Sequence, residues 1–192
     1  MEAFAIRVGE DEVRDKVVKL MKKCMEESEK YGKETGFMVC RGEGEYLILP
    51  PEKKGYDEVE LPSCPEGYEP VLTFHTHTSS CSDEPTITDI YSMLDTKAKM
   101  CIGRGGKVTC YLPEGEIDIE EIRERAERFL KVKEEVKSLI DRINEILGGA
   151  EYEKDEALRD FSELLDKLKE YREVSNIDDL KDKLRKEVYE IG

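Results

Sequence analysis

The abrupt change in sequence character at Pro113-Glu114-Gly115 is the feature that most limits how this 192-residue chain can fold. Before this point, short apolar runs rich in β-branched residues alternate with amphipathic stretches, which is typical of mixed strands and helices. After it, nearly every residue favours helix, and apolar residues recur at spacings of three and four. The sequence therefore predicts an α/β domain over residues 1–113 and an all-α extension over residues 114–192.

Periodicity and turn residues divide the α/β domain further. The predicted elements are strands at residues 3–8, 36–40, 46–49, 58–61 and 71–75, helices at 11–31 and 86–96, and a hairpin at 98–112. Gly32 is placed to end the first helix. With Gly105 and Gly106 as the hairpin loop, Arg104 faces Lys107 and Cys101 faces Cys110.

The six cysteines leave the redox state of the chain open. None forms a C-x-x-C pair, so the spacing does not indicate a zinc ribbon or a thioredoxin-like site. Reduced, buried thiols are the default in a cytosolic protein. Cys101 and Cys110, however, occupy a predicted non-hydrogen-bonded pair, where side chains lie close together. They are either two thiols packed on one face or a disulfide.

The helical extension carries three apolar stripes. They are Ile119, Ile122, Ala126, Phe129, Val136, Ile140, Ile143 and Leu147, interrupted by Lys133; then Leu158, Phe161, Leu165 and Leu168; then Ile177, Leu180, Leu184 and Val188. Short breaks at 148–151 and 174–177 predict antiparallel helical hairpins or a bent coiled coil. The stripes either pack on each other or form a homodimer interface or a docking arm for a partner. We expect self-packing, with dimerisation through the tail as a second use.

Charge and composition exclude several functions. Lys and Arg number 31 against 46 Asp and Glu, which gives a net charge of −15. Such a surface repels nucleic acid and anionic membranes. No apolar run approaches the 18 or so residues that span a bilayer, and the N-terminal residues do not have the pattern of a signal peptide, so we expect a cytoplasmic protein. The absence of Gln, the two Asn and the many Glu and Lys suggest a thermophilic source.

The chain has only two histidines, His75 and His77, and they form an H-x-H pair at the end of a predicted strand. Residues i and i+2 of a strand point to the same side, so both imidazoles can bind one ion. Asp89, in the first turn of the next predicted helix, can supply a third ligand. Two imidazoles and one carboxylate leave one position open on tetrahedral Zn²⁺, which is typical of catalytic zinc. Such a site can activate water toward a carbonyl.

Two further residues suit a hydrolase. Glu34, between the first helix and the second strand, is a candidate general base that takes a proton from water and returns it to the leaving amine. Thr86 offers a hydroxyl near Asp89 that can donate to a developing oxyanion. Thr86 is equally suited to cap the helix, and the two roles are compatible.

These motifs together resemble those of the JAMM (MPN-plus) zinc metalloproteases. Glu34 precedes Thr-Gly-Phe-Met-Val, His75-Thr-His77 corresponds to the family's H-x-H-P, and Pro85-Thr86-x-x-Asp89 corresponds to its Pro-Ser-x-x-Asp box. The resemblance covers residues 1–113. It implies a JAMM/MPN-like (cytidine-deaminase-like) mixed β-sheet flanked by helices.

The resemblance also implies an activity. It predicts a zinc-dependent hydrolase of isopeptide or C-terminal peptide bonds, acting on a ubiquitin-like small modifier protein or its conjugates. His75, His77 and Asp89 would be the zinc ligands, Glu34 the general base and Thr86 the replacement for the family's oxyanion serine.

Two alternatives remain open at this stage. The loop at 78–85 is one residue longer than the common family spacing and contains Cys81 and Asp83, either of which can approach the open metal position. A thiolate there would close the site. The chain would then be a non-catalytic scaffold whose helical tail recruits partners. A third hypothesis keeps the zinc but changes the substrate to a small amide or a cysteine-linked carrier protein.

Overall fold

A seven-stranded sheet and a long helical hairpin are the main features of the computed structural model, which describes residues 5–55, 59–78, 83–149 and 151–191. The unit with the sheet comprises Met1–Pro85, Ser92–Glu116 and Lys183–Gly192. The other unit, with the hairpin, comprises Thr86–Tyr91 and Ile117–Asp182. The structure confirms the predicted fold class, a mixed α/β sheet flanked by helices and followed by a C-terminal helical region.

Through the first 113 residues the elements follow the predicted order, with one additional short strand at Lys53–Lys54. The described elements of the chain are β1 (Ile6–Gly9), α1 (Val13–Tyr31), β2 (Gly36–Arg41), β3 (Glu45–Leu49), β4 (Lys53–Lys54), β5 (Val59–Glu60), β6 (Glu69–Thr76), α2 (Ile87–Thr96), β7 (Lys99–Arg104), β8 (Lys107–Pro113), α3 (Ile119–Leu147), α4 (Lys154–Ser175), a 3₁₀ helix (Asp178–Lys183) and β9 (Leu184–Glu190). As predicted, α1 ends at Gly32, whose left-handed conformation lets its N–H donate to the Ser28 carbonyl.

The sheet has the order β1-β3-β2-β6-β7-β8-β9, so β6 lies at its centre. Strands β6 and β7 are parallel and the other neighbours are antiparallel. A parallel pair needs a crossover connection, and α2 lies within it. The hairpin register is the one predicted, with Arg104 opposite Lys107 and Cys101 opposite Cys110.

The core of the sheet unit lies mainly on the face that α1 covers. Met21 and Met25 of α1 belong to one buried cluster with Phe37 and Phe74, whose ring centroids are 5.2 Å apart. Alternate residues of β2 point to the other face, where Met38, Cys40 and Leu47 form a smaller cluster. The sheet is therefore buried on both faces along β2, which fixes the register of its neighbours.

Two disulfides lie within the sheet unit. Of the two alternatives for Cys101 and Cys110, the structure has the disulfide. A second bond joins Cys40 to Cys64. This pairing was not predicted, because spacing alone does not specify connectivity. Cys24 is a free thiol on α1. Its burial raises its pKa to about 11, so the thiol stays protonated at neutral pH.

Helices α3 and α4 form the predicted antiparallel hairpin. Ion pairs join Glu135 to Lys167 and Arg142 to Asp160, and Phe129 packs on Tyr171. Since residue numbers rise on one helix as they fall on the other, the helices run in opposite directions. The buried face of α3 differs from the predicted stripe. It comprises Ile122, Ala126, Phe129, Val132, Val136, Leu139 and Ile143, while Ile140 and Leu147 are exposed.

The stripe predicted to be the buried face of α4 is exposed. Its members are Leu158, Phe161, Leu165 and Leu168. The residues that lose exposure instead include Asp160 and Lys167, both of which pair with charges on α3. Ion pairs thus take the place of part of the apolar packing that periodicity predicts on this helix.

The third predicted stripe does not form a helix. Residues Asp178–Lys183 make a 3₁₀ helix, and residues Leu184–Glu190 make strand β9, antiparallel to β8. Strand β8 would otherwise leave a row of backbone groups unpaired, and β9 satisfies them. The helical prediction at Leu184 and Val188 is therefore wrong. Among the described residues, no helix is both long and apolar enough to cross a bilayer.

Candidate metal centre

The two histidines come together at the end of the central strand. His75 lies on β6 and His77 follows its last residue, so both side chains point the same way. Their Nε2 atoms are 3.1 Å apart. His77 is buried and His75 is partly buried. Such a distance suits either a shared proton between the rings or two nitrogens directed at a common ion.

Asp89 is fixed by the first turn of α2. The Thr86 N–H donates to Asp89 Oδ2 at 2.9 Å, and the Asp89 N–H donates to Thr86 Oγ1 at 3.2 Å. This reciprocal arrangement is a capping box with aspartate at the third helical position. It confirms the capping role of Thr86. It also fixes the orientation of the Asp89 carboxylate, whereas a carboxylate exposed to solvent would be free to rotate.

His75, His77 and Asp89 each offer a ligand atom, and these atoms lie within 4.8 Å of one another. The nitrogen separation of 3.1 Å is close to the roughly 3.3 Å between two nitrogens bound to one tetrahedral zinc ion at about 2.0 Å. Two imidazoles and a carboxylate suit zinc and several other first-row divalent metals. The predicted trio is therefore brought together in an arrangement that fits one metal ion.

The register of β2 and β6 indicates where Glu34 lies relative to this cluster. Gly36 pairs with His75, and Thr76 N–H donates to the Thr35 carbonyl at 2.8 Å. Continued by one residue, this antiparallel register puts Glu34 opposite His77, and opposite residues share a face. Glu34 is only 6% exposed. Extended in this way, the register puts the predicted general base on the side of the sheet that carries both imidazoles.

Two residues that support the histidines were not predicted. A Cβ on Gly36 would lie 2.0 Å from the Phe74 carbonyl oxygen and 2.9 Å from His75 Cα, so β6 can approach β2 this closely only at a glycine. Thr76, between the two histidines, is fully buried. Its hydroxyl accepts from the Thr35 N–H at 2.9 Å. A glycine opposite an H-x-H segment is the sequence signal that would have identified the close approach.

A cavity of about 310 Å³ opens beside His77. Its lining includes Met25 and Ser28 of α1 and the Gly103–Gly105 turn region between β7 and β8. The Ser28 hydroxyl is buried and has no hydrogen-bond partner among the described residues. The walls of this cavity are both apolar and polar, which suits a small ligand group.

Cys81 and Asp83 were the two residues considered as ligands that could close the metal site. Cys81 lies outside the described residues. Asp83 is exposed, and its carboxylate accepts from the Arg104 guanidinium at 3.0 Å. Within the part of the chain that the structure describes, Asp83 is not a member of the cluster that can hold a metal.

Comparison of the chain with protein-family models, with curated proteins and with solved structures found no match.

Proposed function

We propose that this chain is a JAMM-type zinc metallohydrolase that cleaves isopeptide or C-terminal peptide bonds of ubiquitin-like small modifier proteins. The observation that carries the proposal is the convergence of His75, His77 and Asp89, whose ligand atoms lie within 4.8 Å of one another. Three ligands leave tetrahedral zinc one open position, which is the pattern of a catalytic site.

Residues around the cluster supply the remaining chemistry. Bound zinc provides Lewis acidity toward the scissile carbonyl and the attacking water. Glu34 takes a proton from that water as its oxygen bonds to the carbonyl carbon. It then delivers the proton to the leaving nitrogen as the C–N bond breaks. Its burial favours this exchange because proton transfer then occurs away from bulk solvent.

Thr86 can serve both as helix cap and as oxyanion donor. Its Oγ1 accepts from the Asp89 N–H and lies 2.7 Å from Thr88 Oγ1. When Thr88 donates to Thr86, the Thr86 proton is directed elsewhere and can stabilise the developing negative charge on the carbonyl oxygen.

The charge of the chain favours a basic partner surface. At −15, long-range attraction speeds association with a modifier protein that carries a basic patch around its C-terminus. The same charge disfavours nucleic acid.

The first test separates metal binding from turnover. Purified chain should hold close to one zinc per protein, and His75→Ala should abolish that. On a fusion with a peptide after the C-terminus of a ubiquitin-like protein, Glu34→Gln should keep the zinc and lose at least about 100-fold in kcat. Glu43→Gln, at an exposed turn residue, is the matched control and should match wild type.

Each of the other outcomes supports a different function for this chain. An active Glu34→Gln variant rules out the general-base role. Zinc binding without cleavage of modifier fusions or small amides indicates the non-catalytic scaffold. Absence of zinc after metal is added removes the enzyme proposal.

A further inference from the structure

The exposed stripe on α4 is the largest unexplained apolar feature of the hairpin unit. Leu158, Phe161, Leu165 and Leu168 are between 38% and 69% exposed. Their spacing of three, four and three places them on one side of the helix. Taking about 200 Å² for one large apolar side chain, they expose roughly 400 Å² together. The largest apolar patch on a typical monomer covers about 300–600 Å² and is often functional, and this stripe falls in that range.

The stripe is not the face through which α4 contacts α3. That face uses Asp160, Lys167 and Tyr171, which pair with Arg142, Glu135 and Phe129. The hairpin therefore forms without the four apolar residues. Helix α4 thus has two contact faces, one used within the chain and one unpartnered in the described residues.

We propose that the stripe pairs with the same stripe of a second copy, with the two α4 helices antiparallel about a twofold axis. In this arrangement Leu158 packs against Leu168 of the other copy, and Phe161 against Leu165, so all four residues are covered by equivalent ones. The cations Lys154 and Arg172 end the stripe on either side. The apolar contact is therefore four layers long.

Charges beside the stripe select the antiparallel direction. Asp155 and Lys169 flank the stripe on the same side, fourteen residues apart along the printed sequence, and both are exposed. When Leu158 faces Leu168, Asp155 of each copy comes next to Lys169 of the other, which gives two attractive pairs. A parallel pair in register would instead bring Lys169 next to Leu164 and would leave both charges without a complement.

The expected affinity is modest. Two copies would bury roughly 800 Å² of stripe surface, and the flanking side chains bring the total near the lower limit of about 1,200 Å² for specific interfaces. Repulsion between two chains of net charge −15 acts against association. A dissociation constant on the order of micromolar follows, and it should fall as salt rises to about 0.15 M.

Sedimentation equilibrium of the full chain between about 2 and 200 μM tests the proposal. Wild type should reach the mass of a dimer. Leu165→Glu should weaken association at least about 100-fold, since it places a carboxylate at the centre of the seam. Leu130→Glu, at a leucine of α3 that is also more than half exposed, is the matched control and should leave the dissociation constant unchanged. Circular dichroism confirms that each variant is folded.

A charge exchange tests the direction of the helices. Asp155→Lys and Lys169→Asp should each weaken association about tenfold, because two attractive pairs become two repulsive ones. The double variant restores both pairs and should return to within about twofold of wild type. A monomer at 200 μM, an unaffected Leu165→Glu variant, or a double variant no better than the single ones would each overturn the proposal.

Discussion

Replacing Gly36 by alanine tests how the fold positions the histidines. Gly36 lies opposite His75, and an added Cβ would lie 2.0 Å from the Phe74 carbonyl oxygen, where real Cβ atoms come no closer than 3.0 Å. The obstructing atoms belong to backbone, so no side chain can rotate away. Strands β2 and β6 must therefore separate by about 1 Å at this point.

The loss of stability expected for Gly36→Ala follows from the hydrogen bonds beside this glycine. Thr76 N–H donates to the Thr35 carbonyl at 2.8 Å, and Thr35 N–H donates to Thr76 Oγ1 at 2.9 Å. A displacement of about 1 Å takes both beyond hydrogen-bond range. Each is worth about 1 kcal/mol net and more when its buried groups stay unpaired, so the free energy of unfolding should fall by about 3 kcal/mol.

Urea unfolding and zinc titration measure the two consequences. Gly36→Ala should lower the unfolding midpoint without changing the slope, and it should weaken zinc binding at least about tenfold because His75 moves with β6. Gly9→Ala on β1 is the matched control, since nothing lies within 4 Å of its added Cβ. It should be neutral or stabilising by up to about 1 kcal/mol. A Gly36→Ala protein within about 0.5 kcal/mol of wild type would refute the reasoning.

Two further predictions concern a disulfide and an ion pair. Cys64→Ser opens the Cys40–Cys64 bond, whose sequence separation is 24; it should lower the free energy of unfolding by about 3 kcal/mol, a deficit that disappears when wild type is also measured in reductant. The Lys167 hydrogen bond holds the pKa of Glu135 below its ordinary value of 4.5. This carboxylate therefore contributes stability above about pH 4.5 that is lost as the pH falls through the lowered pKa. Glu135→Gln should therefore lower Tm at pH 7, and a deficit that persisted unchanged to pH 2 would contradict this explanation.

The sequence was most informative where one local pattern had only one good solution. The Gly105-Gly106 loop determines a two-residue hairpin, and the hairpin determines that Cys101 faces Cys110. The capping role of Thr86 follows equally directly from its position before α2. The trio of possible metal ligands was identified because residue types, order and predicted elements all agreed.

The sequence was misleading where two solutions satisfied the same pattern. On α4, an apolar stripe and a face containing Asp160 and Lys167 are both continuous, and periodicity cannot tell which one meets α3. At Leu184–Glu190, apolar spacing suited a helix, but the unpaired edge of β8 is a long-range partner that no local pattern reveals. The Cys40–Cys64 bond likewise depends on how a distant loop folds back.

The metal ligands are positioned by packing and hydrogen bonds of the chain itself, so we expect positioning and metal binding to be separable by mutation. Glycine at 36 and the Thr76 hydroxyl set the position of His75, and the capping box sets that of Asp89. Metal that binds only the folded chain adds stability as RT ln(1 + [metal]/Kd), about 4 kcal/mol at a thousandfold excess over Kd. His75→Ala should remove only this increment, whereas Gly36→Ala should lower stability with and without metal. A site assembled by the metal itself would instead give both variants the same metal-free stability.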